Sequence, residues 1–448
     1  MSYENQLKQK LVSPDQAAKT VKTGDWVDYG GFIGQCVTFD KALAKRKDEL
    51  KDVKIRACTR FQGAPEVVKA DPQKEVFTYT NWHFSGGDRK LHDQGLCYYN
   101  PILYRDVPKY YRQDIDVDVV CVVVSPMDQH GFFNFGLQNS FTKATMDKAK
   151  TVIVEINTNM PRVLGGSEEC IHISDVDYVI EGENPALVAL PEGSVGELDQ
   201  KIAEMIAAQL VDGSCIQLGI GGMPNAVGKL IARSDLKDLG VHTEMFVDAY
   251  VDMFEAGRVT NKRKNIDKGK MVFTFGAGSK NMYDFVNDNP LIASYPVDYT
   301  NKPSIISLND NVVAINNCIE VDLFTQVCSE SSGTRHISGT GGQFDFCEGA
   351  YWSKGGKAFL AFTSTFTNKQ GELVSRIKPI LTPGAIVTTT RTAIQYLVTE
   401  YGMVNMKGRS TWERAEALIS IAHPQFQDEL VRDAEKMGIW RKANKLDK

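Results

Sequence analysis

Glu244 stands in Gly240-Val-His-Thr-Glu-Met245, about twenty residues after a glycine loop, Gly219-Ile-Gly-Gly-Met-Pro224. Gly219, Gly221 and Gly222 let a backbone turn tightly and let a ligand approach the main chain. The helix expected from Asn225 to Ile231 points its positive end at the loop, where an anion or a developing oxyanion is stabilised. A short apolar run, Leu239-Gly240-Val241, then delivers the carboxylate. At the carboxyl edge of one parallel sheet, the amides and the carboxylate converge on one crevice. Two chemistries suit that geometry: ribose recognition in a dinucleotide site, and attack by a glutamate on a thioester. The dinucleotide fingerprint Gly-x-Gly-x-x-Gly breaks at Pro224, although the acid has the right spacing. A tight turn without ligand, and a surface carboxylate at a strand end, is the plain structural alternative.

The elements around these residues alternate between strand and helix. Ser13-Pro14 opens a helix running to about Lys22, with Ser as cap and Pro in the first turn. Gly24 stops it, and 25–29 reads as a strand entering Gly30-Gly31. A helix follows near 38–45. Val53–Cys58, 76–79, 117–124 and 151–156 are further strands, rich in β-branched residues. The polar, proline-containing stretch 183–194 reads as a linker. After it the opening theme returns: helix 199–210, Gly213, strand Cys215–Leu218, the glycine loop, a helix. This internal repeat implies two similar open, doubly wound α/β domains, over 1–190 and 191–448, with a cleft between them. Asp248, Asp252 and Glu255, spaced by four and three, read as the solvated face of a short helix.

The 448 residues are 42% hydrophobic and 24% charged, with net charge −5, so ample core is available and no basic stripe marks a nucleic-acid partner. Apolar runs are strand-sized, too short for a membrane span, and the N-terminus lacks a signal-peptide pattern. Nine cysteines without a CxxC pair argue against a zinc ribbon or a disulfide framework and for a reducing cytoplasm.

The stretches 219–228 and 242–248 together resemble the acetyl-CoA hydrolase/transferase family, within it the butyryl-CoA:acetate and 4-hydroxybutyrate CoA-transferases. Pro126–Gly136, Met160-Pro-Arg162, His172–Asp175, 339–346 and Glu416–Pro424 follow the same pattern, so the resemblance spans about 11 to 440. Trp26–Tyr29 and Tyr98–Pro101 are most similar to the butyryl-CoA:acetate branch. The resemblance implies that Glu244 is the nucleophile, through acyl-glutamyl anhydride and glutamyl-CoA thioester intermediates with ping-pong kinetics. It implies that Gly221, Gly222, Met223, Pro224 and Asn225 contact coenzyme A, with Gly341, Gly342 and Lys369. It further implies acyl-CoA as substrate with no tightly bound cofactor, short-chain carboxylates as partners, acyl groups extending to hexanoyl or 4-hydroxybutyryl, and a homo-oligomer. Acyl-CoA hydrolysis, a nicotinamide-dependent oxidoreductase and a non-catalytic CoA-binding module stay open as alternatives.

Other residues carry weaker signals. His130, between Asp128 and Asn134, has no second histidine at ligand spacing, so polar turn structure is expected rather than a metal site. His83 and Trp82 line either a pocket or the core, and Phe61 and Gln62 fall in an early loop. His242, two residues before Glu244, points away from it along a strand and reads as structural. Asn316-Asn317 follows a strand over 312–315 and offers amide donors.

Overall fold

The computed structural model describes residues 2–190 and 195–441. Two compact units emerge from the packing. The first gathers Met1–Pro191, His242–Val251 and Gly269–Lys302; the second gathers Glu192–Val241, Asp252–Lys268 and Pro303–Lys448. The last four residues of the expected linker, 191–194, lie outside the described residues.

The first unit is built on a seven-stranded, wholly parallel sheet. Its strands are β1 (Trp26–Gly31), β2 (Val53–Cys58), β3 (Phe77–Asn81), β4 (Tyr98–Tyr99), β5 (Val119–Val124), β6 (Thr151–Ile156) and β7 (Tyr178–Glu181), in the order β4-β3-β2-β1-β5-β6-β7. β5 reads Val-Val-Cys-Val-Val-Val and is buried throughout, as a central parallel strand covered on both faces must be. Helix α1 (Thr38–Ala44) follows β1.

The second unit repeats the plan. Strands β8 (Cys215–Leu218), β9 (Gly240–Val241), β10 (Val312–Asn317), β11 (Lys357–Ala361), β12 (Tyr396–Thr399) and β13 (Gly402–Asn405) lie in the order β9-β8-β10-β11-β12-β13. All pair in parallel except β12 with β13. Helix α2 (Gly222–Arg233) follows β8, and α3 (Gln343–Trp352) precedes β11. Strand order reverses between β1 and β5 in the first sheet, and between β8 and β10 in the second. Each such switch point leaves a crevice at the carboxyl ends of the strands.

One expectation changes. A cut of the chain near residue 190 puts Glu244 in the C-terminal half, yet His242–Val251 packs with the N-terminal half. Backbone pairing is the reason. Thr243 N–H donates to Val272 at 2.9 Å, and the Thr274 and Phe275 amides donate to the Glu244 carbonyl at 3.1 and 3.2 Å. The 271–276 segment is in turn held by residues 137–140: Ser140 donates to Thr274, and Gly276 to Leu137, each at 3.0 Å. No helix among the described residues is long and apolar enough to cross a membrane.

Candidate active site

In the first unit, Glu244 follows β9 and precedes the short strand Met245–Phe246. Its side chain is half-buried. The Asn301 Nδ2 donates to Glu244 Oε2 at 2.6 Å, and Asn301 itself is fully buried. Met245 pairs with Phe275, whose ring lies stacked on Phe32 with centroids 3.7 Å apart and 7° between planes. Tyr104 meets Phe275 edge-on at 6.4 Å, and its hydroxyl is 2.6 Å from Ser140 Oγ. Phe32 adopts φ of 60°, a left-handed conformation that a bulky residue rarely takes, so the fold holds it at the end of β1 against its preference. Burial pushes the Cys58 thiol up, with the Asp88 and Glu244 carboxylates adding to it. Burial likewise raises Tyr104, with Cys58 and Glu244 contributing. The carboxylate therefore sits among buried, neutral side chains, one oxygen fixed by an amide. That arrangement suits a desolvated nucleophile or an acceptor for a hydrogen-bond donor.

In the second unit, the glycine loop lies at the switch point. Gly221 caps α2 with φ of 132°, and a Cβ there would come 2.6 Å from Asn317 Nδ2. A side chain is thus disfavoured by conformation, and it would displace the Asn317 amide. Asn317 Nδ2 donates to the Ile220 carbonyl at 3.3 Å, and the Gly219 amide donates to Ile315 at 2.8 Å. Asn316 and Gln217 exchange amide hydrogen bonds at 3.0 and 3.1 Å across β10 and β8. The two asparagines therefore brace the loop. α2 starts at Gly222, three residues before the expected Asn225, so Gly222, Met223, Pro224 and Asn225 form its first turn. Pro224 is tolerated there because first-turn amides have no intrahelical partner.

Gly341 has φ of 54° and Gly342 caps α3. Gln343 Nε2 ties this turn to Thr389 Oγ1 at 3.0 Å. Lys369 is exposed at the tip of the hairpin Thr365–Thr367/Leu373–Ser375.

Elsewhere, His242 is buried with Nε2 2.8 Å from the Thr300 carbonyl, a structural setting. Trp82 is core, its indole N–H donating to Tyr111 at 3.3 Å. His83 Nδ1 lies 3.3 Å from Thr59 Oγ1, and Gln62 donates to the Ile33 carbonyl at 2.8 Å. Phe61, beside Gln62, is half-buried. His130 is exposed in a turn whose amides donate to Asp128. Asp248 departs from the solvated face expected of it: half-buried, it accepts from the Ser279 amide at 2.9 Å. Ser279 caps the next helix, and the carboxylate is held by that half-buried amide rather than left to water alone. Sequence reasoning missed Asn301, 57 residues from its partner and in no motif. It also missed Phe32, whose only signal is the glycine pair before it.

A family model for the acetyl-CoA hydrolase/transferase N-terminal domain matches residues 1–191, and one for the C-terminal domain matches 278–434. A butyryl-CoA:acetate CoA-transferase of Anaerostipes caccae is 53% identical over 447 residues, covering 99% of this chain and 100% of the relative. A 4-hydroxybutyrate coenzyme A transferase of Clostridium kluyveri is 41% identical, covering 97% and 100%. The crystal structure of RipA from Yersinia pestis superposes with a TM-score of 0.89 at 36% identity, covering 98% of this chain and 100% of that one.

Proposed function

Because the chain belongs to the acetyl-CoA hydrolase/transferase family, we propose that it transfers coenzyme A from butyryl-CoA to acetate, with Glu244 as nucleophile. The observation that carries the nucleophile is the Glu244 carboxylate held 2.6 Å from the Asn301 amide and near enough to the buried Cys58 and Tyr104 to raise both. A glutamate of ordinary acidity, about 4.3, is ionised at neutral pH and needs no general base. Water weakens such a nucleophile; desolvation and placement activate it.

One Glu244 oxygen attacks the thioester carbonyl. The C–S bond breaks, thiolate leaves, and an acyl-glutamyl anhydride forms. Thiolate then attacks the glutamyl carbonyl, releasing butyrate and leaving a glutamyl-CoA thioester. Acetate attacks that thioester, thiolate departs again, and its attack on the acetyl carbonyl frees Glu244 and acetyl-CoA. One thioester replaces another, so neither ATP nor a bound cofactor is consumed, and the kinetics are ping-pong. We assign CoA contacts to the 221–225 turn, to Gly341 and Gly342, and, at the hairpin tip, to Lys369. Amides of the 221–225 turn face an anion favourably. The substrates are small and soluble, which fits a cytoplasmic homo-oligomer.

Incubation with butyryl-CoA and borohydride should inactivate the protein and place the modification on Glu244 by peptide mass spectrometry. Glu244→Asp, which withdraws the carboxylate by one methylene, should lower kcat by roughly 1000-fold or more. Near-normal exchange by that variant removes Glu244 from the mechanism. Initial rates with butyryl-, hexanoyl- and 4-hydroxybutyryl-CoA against acetate test the acyl group; cofactor-dependent absorbance changes would instead favour a nicotinamide enzyme.

A further inference from the structure

The second unit holds a concavity that the glutamate chemistry does not use. It lies along α3, has a volume of about 250 Å³, and is lined by Phe344, Glu348, Tyr351 and Trp352 on one side and Thr392 and Lys407 on the other. Positions 344, 348 and 351 recur at four and three residues, so one stripe of the helix forms the wall. Tyr351 and Trp352 are 45% and 56% exposed, two large aromatic faces at the end of that stripe. Lys407 Nζ stands 3.9 Å from the Tyr351 ring centroid and donates to the Thr392 carbonyl at 2.8 Å. The Thr390 and Thr392 hydroxyls are 3.1 Å apart.

Positive charge accumulates behind this wall. The Arg414 guanidinium donates to the carbonyls of Arg391 and Arg409, at 2.6 and 3.3 Å. Burial lowers the Lys407 ammonium and the Arg414 charge lowers it further, with Cys347 and the Glu348 carboxylate of the same wall acting in the opposite direction to a smaller extent. Burial and then Arg391 lower Arg414. These like-charge costs are relieved when an anion binds. Aromatic faces accept a planar base by stacking, and lysine with arginine accepts phosphate. At about 250 Å³ the concavity is smaller than the usual ligand cleft, so it takes the base while sugar and phosphate lie at its mouth.

The geometry points to a binding site for a purine nucleoside phosphate, its base against Tyr351 and Trp352 and its phosphate on Lys407. Two sources share that chemistry: the nucleotide end of a coenzyme A thioester, and a free nucleotide acting as effector. Only the first rests on the proposed function. For it, α3 runs about 15 Å from the Gly342 turn toward the aromatic pair.

Calorimetric and tryptophan-fluorescence titration with adenosine 3′,5′-bisphosphate, AMP and inorganic phosphate tests the site. Wild-type protein should bind the bisphosphate, and Trp352→Ala and Lys407→Gln should each weaken binding at least tenfold while melting like wild type. Inhibition competitive with acyl-CoA, and a raised KM in Lys407→Gln with kcat kept, assigns the site to the coenzyme. Non-competitive behaviour with an unchanged KM assigns it to an effector. Absence of binding, or binding equal in wild type and both variants, overturns the proposal. Because binding is read directly, a chain that binds the nucleotide but transfers nothing would fail the proposed function and keep this site.

Discussion

At the carboxyl edge of β1 the chain enters α1 with the amides of Val37, Thr38 and Phe39 donated to the Glu155 carboxylate, at 3.0–3.2 Å. At the carboxyl edge of β8 it enters α2 through Gly221, which has no side chain to offer. Both places are switch points, where the order of strands in the sheet reverses. Pairing register makes the comparison residue by residue. Val124 pairs with Ile156 at the end of β5 and β6, and Asn317 with Ala361 at the end of β10 and β11. One residue back, Glu155 of the first unit answers to Leu360 of the second, and β11 carries no carboxylate at all. The first unit fills its own anion-accepting helix end; the second does not. Topology thus supplies a crevice in each unit, and side chains decide that a carboxylate already meets the helix start in the first, whereas the facing strand of the second carries none.

The largest test of that contrast is Glu155→Ala. It strands two buried amides, of Thr38 and Phe39, and the half-buried one of Val37, so unfolding in urea should show a loss of about 3 kcal/mol. A loss under about 0.5 kcal/mol would mean that the carboxylate is not what satisfies the start of α1. Next comes Asn301→Ala, which frees Glu244 Oε2 from its buried donor. Its kcat should fall by about 10- to 100-fold with the KM for acyl-CoA kept within about threefold, as expected when a positioning hydrogen bond is lost.

A smaller contrast sets two glycines against each other. Gly30 has φ of 65°, and a Cβ there would come 2.8 Å from Val122 Cγ1, inside the first core. Gly221→Ala should raise the KM for acyl-CoA about tenfold with a modest loss in Tm, whereas Gly30→Ala should lower Tm by several degrees and leave KM nearly unchanged. Equal KM effects would erase the distinction between the units.

The smallest effect concerns Lys264. Its ammonium is buried in the second unit, donates to the Val241 carbonyl at 2.9 Å, and is lowered by burial. Between that lowered value and about 10.4, the unfolded chain holds a proton that the folded chain lacks. Stability should therefore rise with pH across the alkaline window, and Lys264→Met should flatten the slope. An unchanged slope in the methionine variant would assign it to other groups.

Much of the scaffold was legible along the chain. Val53–Cys58, Thr151–Ile156 and Cys215–Leu218 occur with the bounds their β-branched and apolar content suggests. The helix opened by Ser13-Pro14 is shorter than expected, Pro14–Ala18 rather than to Lys22, because the turn at 19–20 breaks it before Gly24 acts, and a helix over Tyr3–Lys10 precedes it. β10 extends to Asn317, two residues past the apolar run, because its polar end still pairs with β11. Polar residues at a strand end give no period-two signal, so the sequence offered Asn316 and Asn317 as amide donors but not Asn317 as the brace of the glycine loop.

Local chemistry written in the sequence determined the alternation of strand and helix, the repeated plan, the glycine turns and Glu244 as the residue to watch. Short-range preferences suffice for these, since propensity, period and turn residues act over a few positions. Tertiary structure decided which unit holds Glu244, because backbone pairing with 271–276 outweighs its nearness in the chain to β9. It also decided that Asn301 anchors the carboxylate, that Phe32 is held in a left-handed turn against Phe275, and that Glu155 meets the start of α1 while Leu360 stands at the matching position of the second sheet. Those relations join residues tens to more than a hundred positions apart, and only packing and strand register bring them into contact.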